Sequence, residues 1–175
     1  RKEIKRRIAM AKEAFNKRGE LLRGSLSVEM KKRMVKALIW SVALYGSETW
    51  TMTAEEVRRL EAFEMWIWRR MCKISWMDHI TNEEVLRRVG EKRSLMQTIR
   101  VRQKNWIGHV LRGNCLLRTV LEGRLHGKHR RGRPRKKMLD WMLKEGNATK
   151  SYSRLKREAQ DRNLLRRHQQ DLAGN

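Results

Sequence analysis

The stretch TAEEVRRLEAFEMWIWRRM, residues 53–71, decides the fold of this chain. Thr53 and Glu56 have the capping-box pattern, in which a hydroxyl and a carboxylate each bind a free backbone N–H at a helix start. Apolar residues then recur at helical spacing: Val57, Leu60, Phe63, Ile67 and Met71. The pattern predicts a long amphipathic helix that begins after Thr53 and buries one face.

The same signals recur on both sides of this stretch. The capping-box pattern returns at residues 81–84 and 94–97. Further helices are predicted over about 2–18, 28–45 and 95–112, and shorter ones over about 115–125, 135–145 and 152–170. The helix at 28–45 has Ser27 as its N-cap, and its predicted inward stripe is Met30, Met34, Leu38 and Val42. Strand alternation is almost absent, so we expect an all-α fold.

The charge of the chain constrains its function. Lys and Arg number 43 against 19 Asp and Glu, which gives a formal net charge of +24 over 175 residues. Residues 101–175 alone carry 20 basic and 6 acidic side chains. A neutral or cationic small-molecule substrate does not explain this excess, so a large anionic partner is expected. Seven Trp and 39% hydrophobic residues supply a core, which a disordered basic tail lacks.

The location of the protein is predicted from its cysteines and its apolar stretches. Cys72 and Cys115 lack the spacing of a disulfide framework, which favours a reducing compartment, nuclear or cytoplasmic. The first residues do not have the pattern of a signal peptide. The longest apolar stretch, 37–45, is about half of the ~20 residues that span a bilayer, so no membrane partner is expected. The absence of an initiating Met suggests a piece of a longer protein.

The segment HGKHRRGRPRKK, residues 126–137, holds a dense cluster of cations without an acid. Arg-Gly-Arg-Pro is the core of an AT-hook-like element, whose arginines enter a narrow A·T minor groove. The alternative is a flexible basic linker that makes unspecific phosphate contacts. Both hypotheses predict nucleic-acid contacts by Lys128, Arg130, Arg131, Arg133, Arg135, Lys136 and Lys137.

Two other groups of residues have competing interpretations. Trp66, Trp68 and Trp76 lie near Arg69, Arg70 and Lys73, where tryptophans serve either as core residues or as platforms for bases. Trp66 and Trp68 point about 200° apart on a helix, so only one of them is expected to be fully buried.

Weak candidates for zinc ligands are Cys115, His126 and His129, with His109 as a further donor. Their spacing matches no compact Cys/His knuckle, and the cations around them oppose a dication. No metal and no other cofactor is therefore expected.

Five motifs together carry a resemblance to a known family: LYGSETW (44–50), LEAFEMWIWRRM (60–71), TNEEVLRRVGEKRSL (81–95), NWIGHVLR (105–112) and RGRPRKK (131–137). As a block they resemble the C-terminal region of non-LTR retrotransposon reverse transcriptases of the RTE/jockey-like kind. The resemblance implies a helical thumb-like domain at 1–112, a linker with the basic segment at 113–134, and a basic helical extension at 135–175.

The resemblance also implies a function without chemistry. No Tyr-x-Asp-Asp turn is present, and the Glu55-Glu56 and Glu83-Glu84 pairs stand at helix starts, where capping explains them. We expect no catalytic residue and no enzymatic activity in this piece. Its expected partners are RNA, DNA or RNA–DNA hybrid, together with palm and fingers domains upstream.

The residues expected to grip the nucleic-acid backbone are the cations of the segment 126–137 and those on the helices: Lys31, Lys32, Arg33, Lys36, Arg100, Arg102 and Lys104. Three alternatives stay open. One is a free-standing DNA- or chromatin-binding protein with an AT-hook-like motif, and another is an enzyme that uses Glu83 or Glu84. The third is a decayed genomic copy without a selected role.

Overall fold

The computed structural model describes residues 2–123, 138–145, 148–149 and 151–161. The basic segment 126–137 and residues 162–175 lie outside this part of the chain. The described helices are α1 Lys2–Lys17, α2 Gly19–Arg23, α3 Val28–Met34, α4 Trp40–Ala43, α5 Ala54–Met71, α6 Asn82–Val89, α7 Leu95–Arg112, α8 Leu116–Glu122, α9 Asp140–Leu143 and α10 Tyr152–Gln160. A π-helical turn, Val35–Ile39, joins α3 to α4, and 3-10 turns cover Ser47–Thr49 and Trp76–Asp78.

The predicted all-α class is confirmed. Strand pairing among the described residues is confined to a hairpin of two residues on each side, β1 Lys144–Glu145 and β2 Ala148–Thr149. The helix predicted over 135–145 is shorter than expected, because the chain leaves helical geometry after Leu143 to form β1.

The chain divides into two compact units. The first consists of Arg1–Ser47 and Thr53–Thr98, and the second of Glu48–Met52 and Ile99–Asn175. The sequence placed all of residues 1–112 in one thumb-like domain. The division into units lies inside that range, and Ile107 and Leu111 of α7 pack in the core of the second unit.

Helix α5 forms as its sequence predicts. Thr53 Oγ1 accepts a hydrogen bond from Glu56 N at 3.4 Å, while Thr53 N donates to Glu56 Oε2 at 2.8 Å, which completes the capping box. Of the predicted inward residues, Leu60, Phe63, Ile67 and Met71 are buried, whereas Val57 is partly exposed. In the first unit, α5 packs against α1, α2 and α6.

The helical run from α3 to α4 buries a different stripe from the predicted one. The buried positions are Lys31, Val35, Ile39, Trp40 and Ala43. Met30 and Leu38, which were predicted to face inward, are exposed, so the predicted stripe is wrong by about one residue. Apolar residues lie side by side at 34–35 and 38–39, so periodicity alone does not select the face. Packing against α1, which contacts both the π turn and α4, selects it.

The other two predicted capping boxes are incomplete. Thr81 Oγ1 accepts from Glu84 N at 3.3 Å, but the Glu84 carboxylate binds the guanidinium groups of Arg87 and Arg88, at 2.7 and 2.9 Å. The Ser94 hydroxyl is buried without a hydrogen-bond partner.

A carboxylate from another helix caps α7 instead. Glu64 Oε1 of α5 accepts hydrogen bonds from Ser94 N at 2.9 Å and from Leu95 N at 3.1 Å. Glu64 is almost completely buried, at 1% exposure, and this burial raises the pKa of its carboxyl group although the two N–H groups oppose the shift. The start of α7 is therefore fixed by a contact that local sequence does not encode.

The second unit has a smaller core. Ile107, Leu111, Met142, Leu155 and Ala159 are buried together. At its edge, the Glu122 carboxylate of α8 forms an ion pair with Lys156 Nζ at 2.6 Å. It also accepts a hydrogen bond from the Tyr152 hydroxyl at 3.1 Å. The contact with Lys156, and after it the one with Tyr152, holds the pKa of Glu122 below its ordinary value.

The described helices also bear on membrane association. None of those in the described ranges is both long enough and apolar enough to cross a bilayer.

Candidate nucleic-acid interface

Lys31 is the predicted contact residue that the structure places inside the first unit. Its side chain lies on the buried stripe of α3, with 8% of the residue exposed, and its Nζ donates to Gly24 O at 2.7 Å. The ammonium group is thus used to hold the end of α2. Lys31 is therefore not one of the exposed cations of the first unit.

The neighbouring predicted cations are exposed to different degrees and share two acids. Lys32 lies 2.8 Å from Glu29 and 3.5 Å from Glu91, and only 12% of its side chain is exposed. Lys36 lies 2.7 Å from the same Glu91 carboxylate and is 42% exposed. Arg33 is the most accessible of the three, at 75%, with Glu29 at a looser 3.7 Å. Carboxylates therefore offset part of the charge of this group.

In the second unit, the predicted residues of α7 separate onto two sides of the helix. Arg102 faces Glu48, 3.9 Å away. Arg100 and Lys104, one helical turn apart, lie over the ring of Trp141, at 5.8 and 5.9 Å from its centroid. These three residues, Arg100, Lys104 and Trp141, form what we call the Trp141 cluster.

A second cluster of the same kind lies in the first unit, where the sequence offered Trp66 and Arg70 as one possible contact and did not include Lys12. Lys12 of α1 and Arg70 of α5 both lie over the ring of Trp66, at 5.0 and 5.2 Å from its centroid. Phe15 packs edge-on against the same ring at 5.3 Å and holds it in place. We call Lys12, Trp66 and Arg70 the Trp66 cluster. Among the described residues neither of its cations has a carboxylate partner.

The three tryptophans singled out in the sequence have three different environments. Trp68 is fully buried, Trp66 is half-buried and Trp76 is 85% exposed. The expectation that only one of Trp66 and Trp68 is fully buried is confirmed. Trp76 lies on a turn between α5 and α6 and is available to a partner.

The residues considered as metal ligands or as a catalytic acid do not form a metal or catalytic site among the described residues. Cys115 is exposed with a free thiol, and no three His, Cys, Asp or Glu side chains of the described ranges converge as metal ligands. His126 and His129 lie outside the described residues, as do the predicted contact residues Lys128, Arg130, Arg131, Arg133, Arg135, Lys136 and Lys137. The guanidinium groups of Arg87 and Arg88 lower the pKa of Glu84 to about 2, which suits a charge partner rather than a proton carrier.

Comparison with known proteins identifies no relative: no family model matches the chain, and no curated protein or solved structure matches it.

Proposed function

We propose that this chain is the nucleic-acid-gripping C-terminal region of a non-LTR retrotransposon reverse transcriptase. It holds template–primer and target nucleic acid by their phosphate backbones and contributes no catalytic residue. The resemblance of its motifs supplies the family, and the charge of +24 supplies the class of partner.

The observation that carries the proposal is the Trp66 cluster. An exposed lysine or arginine beside a carboxylate has much of its charge offset, whereas Lys12 and Arg70 lie against an aromatic ring. The ring restrains the cation and leaves its charge available to a phosphate. Lys12 lies on a helix of 16 residues and Arg70 on a helix of 18, a more rigid support than a loop.

The proposed mechanism is electrostatic positioning. Each phosphate that a cation neutralises releases a counterion, so affinity falls with salt by a log–log slope of about −0.9 per contact on duplex DNA. Contacts of this kind fix the register and orientation of a nucleic acid without reading its sequence. A thumb has this task, because it must hold any template.

The test compares two double variants with the same net charge. Lys12→Gln with Arg70→Gln removes the cations of the Trp66 cluster. Lys17→Gln with Arg59→Gln removes one cation from each of the same two helices, where each is paired with an acid, Glu13 at 2.8 Å or Glu55 at 2.6 Å. Binding of the full chain to RNA–DNA hybrid, duplex DNA and single-stranded RNA is measured over a salt series.

We expect the first variant to bind all three ligands more weakly and to make the salt slope on duplex DNA shallower by about 2, one unit for each lost contact. The control variant is expected to change the slope by less than half of that. Equal losses in both variants would mean that net charge alone drives binding, which contradicts a localised interface. No measurable binding by the unmodified chain would refute the proposed function.

A further inference from the structure

The most exposed aromatic side chain of the first unit lies at the tip of a turn. Trp76 and Met77 are 85% and 79% exposed, within the 3-10 turn Trp76–Asp78 that follows α5. Tryptophan is a large apolar residue that proteins usually bury for most of its surface. Packing of the fold therefore does not explain why a tryptophan is exposed at position 76.

Hydrogen bonds give this turn a defined shape. Ser75 N donates to Asp78 Oδ2 at 2.7 Å, and Met77 N donates to Ser75 Oγ at 3.3 Å, which completes a capping box over the turn. The residues on either side, Lys73 and His79, have left-handed backbones with φ of 57° and 50°. Non-glycine residues adopt this conformation only where the surrounding structure maintains it.

The exit of the turn is tied to α5. Arg69 Nη2 donates to Ile80 O at 2.6 Å and to Asn82 Oδ1 at 3.0 Å. The turn is thus anchored at both ends, and Trp76 is presented on a rigid support. Binding of a ligand to Trp76 therefore costs the protein little conformational entropy.

Positive charge surrounds a cavity that begins next to the turn. Lys31, Lys73 and Arg88 line an open cavity of about 360 Å³, above Met71 and Cys72. Lys31 and Arg88 already bind Gly24 O and Glu84. Lys73 is exposed and has no carboxylate partner among the described residues. Three chain steps separate its Cα from that of Trp76, a span of at most about 11 Å.

We propose that Trp76 is a stacking platform for an unpaired nucleobase and that Lys73 contacts a phosphate of the same strand. The proposal rests on the proposed function and specifies a partner for one surface of it. Bases in a duplex stack on each other and show only their edges in the grooves, so a flat indole ring reaches a base in a single strand. One ring beside a lysine that has no carboxylate partner among the described residues matches one nucleotide. The exposed apolar surface of one Trp and one Met is small for a protein interface.

The test uses the full chain with two DNA probes: a blunt duplex, and the same duplex with a single-stranded tail that carries a fluorescent base analogue. Trp76→Ala is expected to weaken binding to the tailed duplex about five- to a hundredfold. Binding to the blunt duplex is expected to stay unchanged, and quenching of the analogue is expected to be lost. Trp76→Phe, which keeps an aromatic ring, is expected to retain most of the affinity and the quenching.

Matched variants isolate each contact. Met77→Ala removes the neighbouring exposed side chain and is expected to leave both affinities within about twofold, because a thioether gives no stacking surface. Lys73→Gln is expected to make the salt slope for the tailed duplex shallower by about 0.7, the value for one contact on a single strand. Lys92→Gln, a change at another exposed lysine of the first unit, is expected not to do so.

Each adverse outcome overturns the proposal in a recognisable way. If Trp76→Ala weakens both probes equally, or neither, Trp76 does not bind an unpaired base. If the unmodified chain binds both probes with a steep salt dependence but the variant is indistinguishable from it, only this inference fails and the proposed function stands. If Trp76→Ala leaves DNA binding unchanged but abolishes self-association of the chain, the turn is a protein contact.

Discussion

Two charged residues show why the burial of a single position is difficult to predict from the sequence. Lys31 and Glu64 are both buried, although charged residues are normally assigned to the surface. Each is compensated by backbone groups outside its own helix: Lys31 by Gly24 O, seven residues away, and Glu64 by the N–H groups at the start of α7, about thirty residues away. Sequence periodicity reports which positions are apolar, and it carries no information on partners outside the helix itself.

A pH dependence follows at the residue scale from Glu64, whose pKa is raised by burial. Above the ordinary value of 4.5, the native state retains this proton while the unfolded state releases it. The native state then binds more protons, so the free energy of unfolding falls as pH rises through the window between the two pKa values. Glu64→Gln has no such proton, and we expect its stability to exceed that of the wild type by a growing margin across this window.

Urea unfolding over a series of pH values checks this expectation. Glu61→Gln removes the same charge from the same helix and corrects for the change in net charge. If the free energy of unfolding of the wild type instead increases relative to that of Glu64→Gln as pH rises, the N–H contacts of Ser94 and Leu95 outweigh the cost of burial.

At the scale of elements, capping residues predicted where helices begin better than periodicity predicted which face is buried. The starts after Ser27, Thr53 and Thr81 are found in the structure, each with its hydroxyl on a backbone N–H. The prediction of which face is buried in the run 28–43 was wrong, because this run contains a π turn and more apolar residues than one face requires. A cap by the residue that precedes the helix, as at Ser27, Thr53 and Thr81, is a local interaction within four residues, whereas a buried face is selected by the helices packed against it.

The two threonine caps differ in their hydrogen bonds, so their removal is expected to lower the free energy of unfolding by different amounts. Thr53→Ala breaks a complete capping box and also the bond from Thr53 Oγ1 to Glu56 Oε2 at 2.9 Å. Thr81→Ala removes a single bond, because Glu84 is occupied by arginines. We expect losses of about 1–2 kcal/mol for Thr53→Ala and about 0.5 kcal/mol for Thr81→Ala in the free energy of unfolding by urea. Equal losses would indicate that the reciprocal Glu56 contact adds nothing.

For the whole molecule, composition predicted the class of partner but not the place where it binds. Lys12 and Arg70 belong to different helices and meet only because α1 packs against α5 at Trp66. No pattern in the sequence links position 12 to position 66. The same holds for Trp141, which meets α7 through the folding of the second unit.

The distribution of charge along the chain makes a prediction about the segment 126–137. If all seven of its cations contact phosphates, they contribute roughly −6 to the log–log salt slope. Changing Arg131, Arg133 and Arg135 to Ala is expected to make the measured slope on duplex DNA shallower by about 3. An unchanged slope in this triple variant would assign binding to the folded helices alone, and a loss confined to A·T-rich duplex would favour the AT-hook-like alternative.

The left-handed residues at 73 and 79 also limit which sequences this turn accepts. A β-branched side chain at either position would be disfavoured by its backbone, so Asn, Asp or Gly are the replacements that the geometry tolerates best. Positions 76 and 77 carry no such restriction, because their side chains extend into water and many polar residues would satisfy the turn equally well. Folding therefore does not require a tryptophan at position 76, and mutational drift alone would be expected to replace it.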